Sequence, residues 1–228
     1  MRGKGVIGLL VMVAVGYLGY RFLPPQFNPF APLTLDDPPG RITQFKLKRL
    51  PAERCPILLE QANQRGWIST KNLANNSDGP CPLHHAVSVA NFGDVRLSQR
   101  FVASCPLALS SALFVQQQAK PLARQYLGSG LRQIDHLGSF ACRNIYHRQN
   151  ARLSEHATAD ALDISGFRLT DGRNITVLKG WKTAESEPFL RALLAASCQY
   201  YGNGLGPDYN AAHANHFHLG MRGYGLCR

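Results

Sequence analysis

Two short stretches carry the residues best suited to chemistry. Ser154-Glu155-His156-Ala157-Thr158-Ala159-Asp160-Ala161-Leu162-Asp163 holds an imidazole and a carboxylate, His156 and Asp163, with six residues between them. His213-Ala214-Asn215-His216-Phe217-His218 holds three imidazoles near the C-terminus. Ala161 to Ser165 reads as a strand, so alternation puts Asp163 on one face with Ala161 and Ser165 and turns Leu162 and Ile164 into a core. His216 to Leu219 repeats the pattern, with both histidines on one face and Phe217 and Leu219 on the other. Side by side, such strands place two imidazoles and a carboxylate on one wall. Two nitrogen ligands and one carboxylate leave a fourth tetrahedral position for water, the arrangement of a catalytic rather than a structural zinc. Taken singly, each half is a weak signal, because paired histidines on a strand also pack with no metal between them.

Together these stretches resemble a known group. Ser154-x-His156, Ala161-x-Asp163 and His216-x-His218 are similar to the motifs of zinc peptidases that include D-Ala-D-Ala carboxypeptidases and murein endopeptidases, which share a fold with hedgehog-type domains. Within that group the chain resembles the extensin-like C-terminal domain family. The likeness is carried by Cys142-Arg143-Asn144, Ser154 to Thr158, Gly206-Pro207-Asp208-Tyr209-Asn210 and the run from His213 to His218, and it covers roughly Pro51 to Arg228. The resemblance implies His156, Asp163 and His218 as ligands of one zinc ion, His216 as the catalytic base and His213 as a further catalytic-site histidine. Arg143 matches a strand arginine that grips a substrate carboxylate, a task suited to a planar guanidinium; a surface ion pair is the competing reading. Asn215 stands where the carboxypeptidase branch has Glu, so the match is to the endopeptidase-like branch. Ala159 stands where many of these peptidases have Gly.

The chemistry implied is metal-assisted hydrolysis. Zinc lowers the pKa of water from ~15.7 towards ~7, and His216 takes the proton and returns it to the leaving amine. The expected substrate is a peptidoglycan stem peptide. A wall-binding or scaffolding module that keeps the fold without turnover is the alternative.

The rest of the chain must position and deliver this wall. Arg2 and Lys4 precede an apolar run from Gly5 to Tyr20, followed by Arg21 and the stop Pro24-Pro25. No small-x-small cleavage site is evident, so the run reads as an uncleaved single-pass anchor in the inner membrane, with the C-terminal domain in the periplasm or outside the cell; a cleaved signal peptide is the competing reading. Residues 24–50, rich in proline and without periodicity, read as an extended spacer. Lys46, Lys48 and Arg49 belong there either on a lipid surface or on a solvated edge. The organisation expected is therefore a cytoplasmic N-terminus at 1–4, an anchor at 5–23, a linker at 24–50 and a domain at 51–228.

Six cysteines, all beyond the anchor and with no Cys-x-x-Cys among them, predict three disulfides in an oxidising compartment; their spacing selects no pairing. The net charge of +11 suits an anionic polymer. Nucleic acid is excluded as a partner by the anchor and by the lack of any basic-aromatic ladder.

Helices are expected at Cys55–Arg65, at Pro106–Leu127 with a kink at Pro121 and a solvated Gln116-Gln117-Gln118 face, and at Ser186–Tyr201 with Ser186 as its cap. Leu131–Tyr146 is strand-like, and Asp171-Gly172 turns a hairpin between 166–169 and 175–178. His84 and His85 are adjacent, face opposite sides and read as structural or surface residues. Asp208 and Asn210 read as turn formers or as residues that orient an imidazole. The fold class is α+β: a central antiparallel sheet flanked by helices, with an N-terminal transmembrane helix.

Overall fold

Alternation of apolar and polar residues builds a nine-stranded sheet among the described residues of the computed structural model, which are 2–223 and 225–228. Met1, in the expected cytoplasmic segment, lies outside them. The strands are β1 (Ser69–Asn72), β2 (Val87–Phe92), β3 (Val95–Ala103), β4 (Leu131–Gly138), β5 (Ala161–Leu169), β6 (Asn174–Thr176), β7 (Asn203–Leu205), β8 (Phe217–Gly220) and β9 (Leu226–Cys227). They run in the order β1-β2-β3-β4-β5-β8-β7-β9, and β6 pairs with β5. The sheet is mostly antiparallel. β3 and β4 are parallel because a helical crossover joins them, as parallel neighbours require; β7 and β9 are also parallel.

The helices are α1 (Arg2–Phe22), α2 (Arg41–Lys48), α3 (Arg54–Gln64), α4 (Cys105–Phe114), α5 (Lys120–Leu127), α6 (Val177–Gly180) and α7 (Glu187–Ser197). α1 is long and apolar enough, over Gly5–Phe22, to cross a membrane. α3, α4, α5 and α7 cover one face of the sheet. There Leu58, Leu109, Leu113, Phe189 and Leu193 meet Val89, Ile134, Leu162, Ile164, Phe217 and Leu219 in one core. Three disulfides close the framework, Cys55–Cys105, Cys81–Cys142 and Cys198–Cys227. Cys55–Cys105 ties the start of α3 to the start of α4, Cys81–Cys142 ties two loops, and Cys198–Cys227 ties the end of α7 to β9.

Several local expectations change. The single helix expected over Pro106–Leu127 opens into a π turn at Val115–Ala119, just where the Pro121 ring would meet the Gln117 carbonyl of a regular α-helix. That turn brings glutamines inward: Gln116 donates to the Trp67 and Phe92 carbonyls, and Gln117 donates to Leu35 and accepts from the Tyr200 hydroxyl. Their face is therefore not simply solvated. Val177 and Leu178 start α6 instead of extending the hairpin. The Ser186 hydroxyl donates to the Gly180 carbonyl and does not cap α7.

The largest correction concerns residues 24–50. Leu33, Leu35 and Leu47 are buried in the main core, and Lys46 forms a buried ion pair with Asp37 at 2.8 Å. The expected spacer is thus a layer of the folded domain. Leu33, Leu35 and Asp37 alternate and Thr43, Lys46 and Leu47 share one face of α2, but both patterns are too short to stand out among the prolines.

Candidate metal centre

The wall that carries the site is set by strand register. Asp163 on β5 pairs directly with His218 on β8, and Leu162 pairs with Leu219. Directly opposed residues point to the same face, so the apolar partners enter the helix-covered core and Asp163 and His218 stand together on the other face. His218 Nδ1 lies 2.9 Å from Asp163 Oδ1.

His156 comes from a different device. Residues Glu155–Thr158 form a 3-10 turn whose N-cap is Ser154, with its Oγ accepting from the His156 N–H at 3.0 Å. Ala159 ends the turn in the left-handed region, φ 53° and ψ 35°. A glycine would adopt this conformation freely; here an alanine, buried against the core, is held in it. The turn directs the His156 ring back across the start of β5.

The three groups meet at one point. His156 Nε2 lies 3.2 Å from His218 Nδ1 and 3.2 Å from Asp163 Oδ2. An ion bonded at about 2.0–2.1 Å to ligands in a tetrahedral arrangement separates them by roughly 3.3 Å. His156, Asp163 and His218 therefore fit one zinc-sized ion, and their donor atoms all lie within 4.8 Å of one another. The remote nitrogens are tied down. His156 Nδ1 donates to the Ser139 carbonyl at 3.1 Å, and His218 Nε2 faces Glu155 Oε2 at 3.4 Å. Bonds of this kind fix the ring orientation and aim the other ring nitrogen at the common point.

A family model, that of the extensin-like protein C-terminus, matches residues 53–228. The chain belongs to this family. No curated protein and no solved structure gives a match.

Two further histidines of this extensin-like domain line the same face. His216 lies just before β8; its Nδ1 donates to Asn215 Oδ1 at 2.8 Å, which leaves Nε2 with the lone pair, 3.6 Å from Asp163 Oδ1. His213 is buried, and its Nδ1 donates to Asn210 Oδ1 at 2.8 Å. Its ring centroid is 5.2 Å from that of His216 and 5.8 Å from that of His218. Asn210 thus both shapes its turn, by accepting from the Ala212 N–H, and orients an imidazole. Asp208 does neither for the histidines. It accepts from the Trp181 indole and pairs with Arg191.

Arg143 does not lie on a strand. β4 ends at Gly138, and Arg143 follows in an extended segment whose carbonyl accepts from the Ser154 N–H at 3.0 Å. Adjacent Cys142 is fixed by its disulfide to Cys81. The Arg143 guanidinium has no acidic partner among the described residues, so the competing reading as an ion pair is not realised. His84 and His85 are exposed and apart from the site.

The residue that sequence reasoning missed is Glu155. Its carboxylate reaches His218, accepts from Asn203 Nδ2 at 2.9 Å and from the Arg222 N–H at 2.6 Å. Gly220 makes room for it: a Cβ at 220 would come within 2.5 Å of Glu155 Oε1. A glutamate beside the ligand histidine was the available signal, but its partner, His218, lies 63 residues away.

Charge follows contact. Burial alone would push the Asp163 carboxyl up, but hydrogen bonds from His156 and His218 outweigh it and hold it well below the usual carboxylate range. Burial would lower His218; Asp163 and Glu155 reverse this and carry it up to about 9. Glu155, raised by burial, is brought below its ordinary value by His218, Asn203 and the Arg222 amide. His213 is pushed down to about 4, first by burial and then by its histidine neighbours. Burial likewise lowers His216, against the pull of Asp163. In the metal-free protein one proton thus sits at His218 between two carboxylates, while His213 and His216 stay neutral at pH 7.

Proposed function

We propose that the protein is a membrane-anchored zinc hydrolase of the cell envelope that cleaves peptide bonds in peptidoglycan stem peptides. The observation that carries this reading is the convergence of His156 Nε2, His218 Nδ1 and Asp163 on one point, each imidazole with its far nitrogen already bonded. Three N/O ligands with an open fourth position are the donor set of a catalytic zinc. When bound there, zinc supplies Lewis acidity that polarises a carbonyl and makes water acidic near neutral pH.

The chain's own residues do the rest. His216, neutral and with Nε2 as its lone-pair atom beside Asp163, accepts the proton of the attacking water and passes it to the leaving amine as the C–N bond breaks. His213, neutral and held by Asn210, lines the site next to it. Arg143 offers an unpaired guanidinium for a substrate carboxylate. The net charge of +11 favours an anionic wall polymer. The apolar α1 favours attachment to the inner membrane, with the domain on the envelope side.

Elemental analysis of the full-length protein in detergent tests the metal. About one zinc per chain, lost in a folded His156→Ala variant, is expected. Purified muropeptides incubated with the loaded protein then test the reaction by mass spectrometry. Cleavage that disappears in His216→Ala, with zinc retained, supports the hydrolase; muropeptides bound intact by the zinc-loaded protein assign the site to a binding module instead.

A further inference from the structure

The layer formed by residues 24–50 has an outer side that the metal site does not use. α2 buries Thr43, Lys46 and Leu47 and turns Arg41 and Phe45, four residues apart on one helix face, outward; Arg49, the residue after its end, is exposed beside them. The Arg49 guanidinium lies over the Phe45 ring, 5.1 Å from its centroid. Phe30 joins Phe45, Arg49 and Arg54 along one groove. Phe30 is 75% exposed and Phe27 49% exposed. Residues 38–52 contain no acidic side chain; Glu53 is the first beyond them. No described acidic group pairs with Arg41, Arg49 or Arg54.

The way this layer is fastened decides what lies against it. Buried Lys46 donates to Asp37 and to the Pro25 carbonyl, both at 2.8 Å. α1 ends at Phe22, so three residue steps join the apolar helix to a point fixed on the domain. Fully extended, they span at most about 11 Å. The 18-residue apolar stretch Gly5–Phe22 is about 27 Å long as a helix, close to the ~30 Å of a hydrocarbon core. Phe22 therefore lies at the hydrocarbon boundary when α1 spans a bilayer, and the chain cannot carry the domain away from the headgroups. Exposed aromatic residues flanked by arginines are the composition that settles at that depth.

We propose that Phe27, Phe30 and Phe45, with Arg41, Arg49 and Arg54, form a docking face for an anionic lipid leaflet that holds the domain flush on the membrane. The inference rests on α1 as a membrane anchor. Its consequence is that the metal site works at a fixed height above the bilayer and meets substrate that is presented there.

The test uses the full-length chain in vesicles. Retention of the protein on vesicles through a carbonate wash establishes the anchor, and release by that wash would overturn the anchor and the docking face together. Trp is then introduced as Phe30→Trp, with Leu178→Trp as an exposed control outside the face, and the emission of the parent's Trp67 and Trp181 is subtracted. In vesicles with brominated acyl chains and phosphatidylglycerol, the Phe30→Trp emission is expected to shift blue and to be mostly lost, while Leu178→Trp keeps its emission. Equal emission from the two in anchored protein would overturn docking and leave the anchor standing. The loss should shrink in pure phosphatidylcholine and when Arg41→Glu, Arg49→Glu and Arg54→Glu are combined with Phe30→Trp. Unchanged quenching in both of those arms would overturn the assignment to anionic lipid.

Discussion

Two clusters in this molecule bury charge, and they do so to opposite ends. Lys46 and Asp37, with side chains 2% and 3% exposed, satisfy one another and the backbone, so nothing further is needed between them. His156, His218 and Asp163 point acceptor atoms at one another, an arrangement that is stable only with a cation among them. In the metal-free protein a proton on His218 serves; a zinc ion held by His156, Asp163 and His218 would serve the same place. A closed pair fastens a chain segment, whereas a set of converging acceptors leaves a position for chemistry.

The sharpest way to break the comparison is to remove one partner from each cluster. Lys46→Met strands the Asp37 carboxylate in the core layer and should cost about 3–5 kcal/mol in chemical denaturation, with the paired change Lys46→Met and Asp37→Leu recovering most of it. His156→Ala removes an acceptor from a crowded set and should leave the metal-free fold intact. A large loss of metal-free stability in His156→Ala would show that the site is a structural cluster like the other.

The pH dependence comes next in size. Without metal, the raised pKa of His218 means that its stabilisation is complete below its unfolded value of ~6.5 and is lost as pH rises through about 9. The depressed pKa of His213 acts in the other direction, since stability is present above ~6.5 and falls as pH drops through about 4. Each limb is on the order of 3 kcal/mol at most. Denaturation of the metal-free protein should therefore show greatest stability near pH 6.5. Saturating zinc should remove the alkaline limb, because the metal replaces the His218 proton. An alkaline limb that persists with zinc would place the ion elsewhere.

Glu155→Gln tests the support behind the ligand. Loss of the carboxylate that faces His218 Nε2 should weaken zinc binding by about 10–100-fold in competition with a chelator, and the metal-free alkaline limb should shrink with it. An affinity equal to that of the parent would mean that Glu155 serves only to hold Asn203 and the Arg222 amide. The smallest effect is expected of Ala159→Gly. Relief of the left-handed alanine is offset in part by the greater freedom of glycine in the unfolded chain. A net gain of about 1 kcal/mol or less is expected, with unchanged zinc stoichiometry.

The sequence by itself determined the pattern on each strand: Asp163 opposite in sense to Leu162 and Ile164, His218 opposite to Phe217 and Leu219. Its six cysteines also announced three disulfides. These are local properties, fixed by the two-residue period of a strand and by composition. It also carried the apolar α1 and the α+β class. Only the tertiary structure decided that Asp163 sits directly across from His218, because register is chosen by packing of both faces over the whole sheet. The same holds for the cysteine pairing, for the imidazole nitrogen that faces inward and for Glu155 as the group behind His218, whose contact spans a separation that no local pattern encodes. Residues 24–50 show the point most plainly. Leu33, Leu35 and Asp37 alternate over too short a run to mark burial, Lys46 carries a charge, and the domain surface they fill exists only after the sheet and helices have assembled.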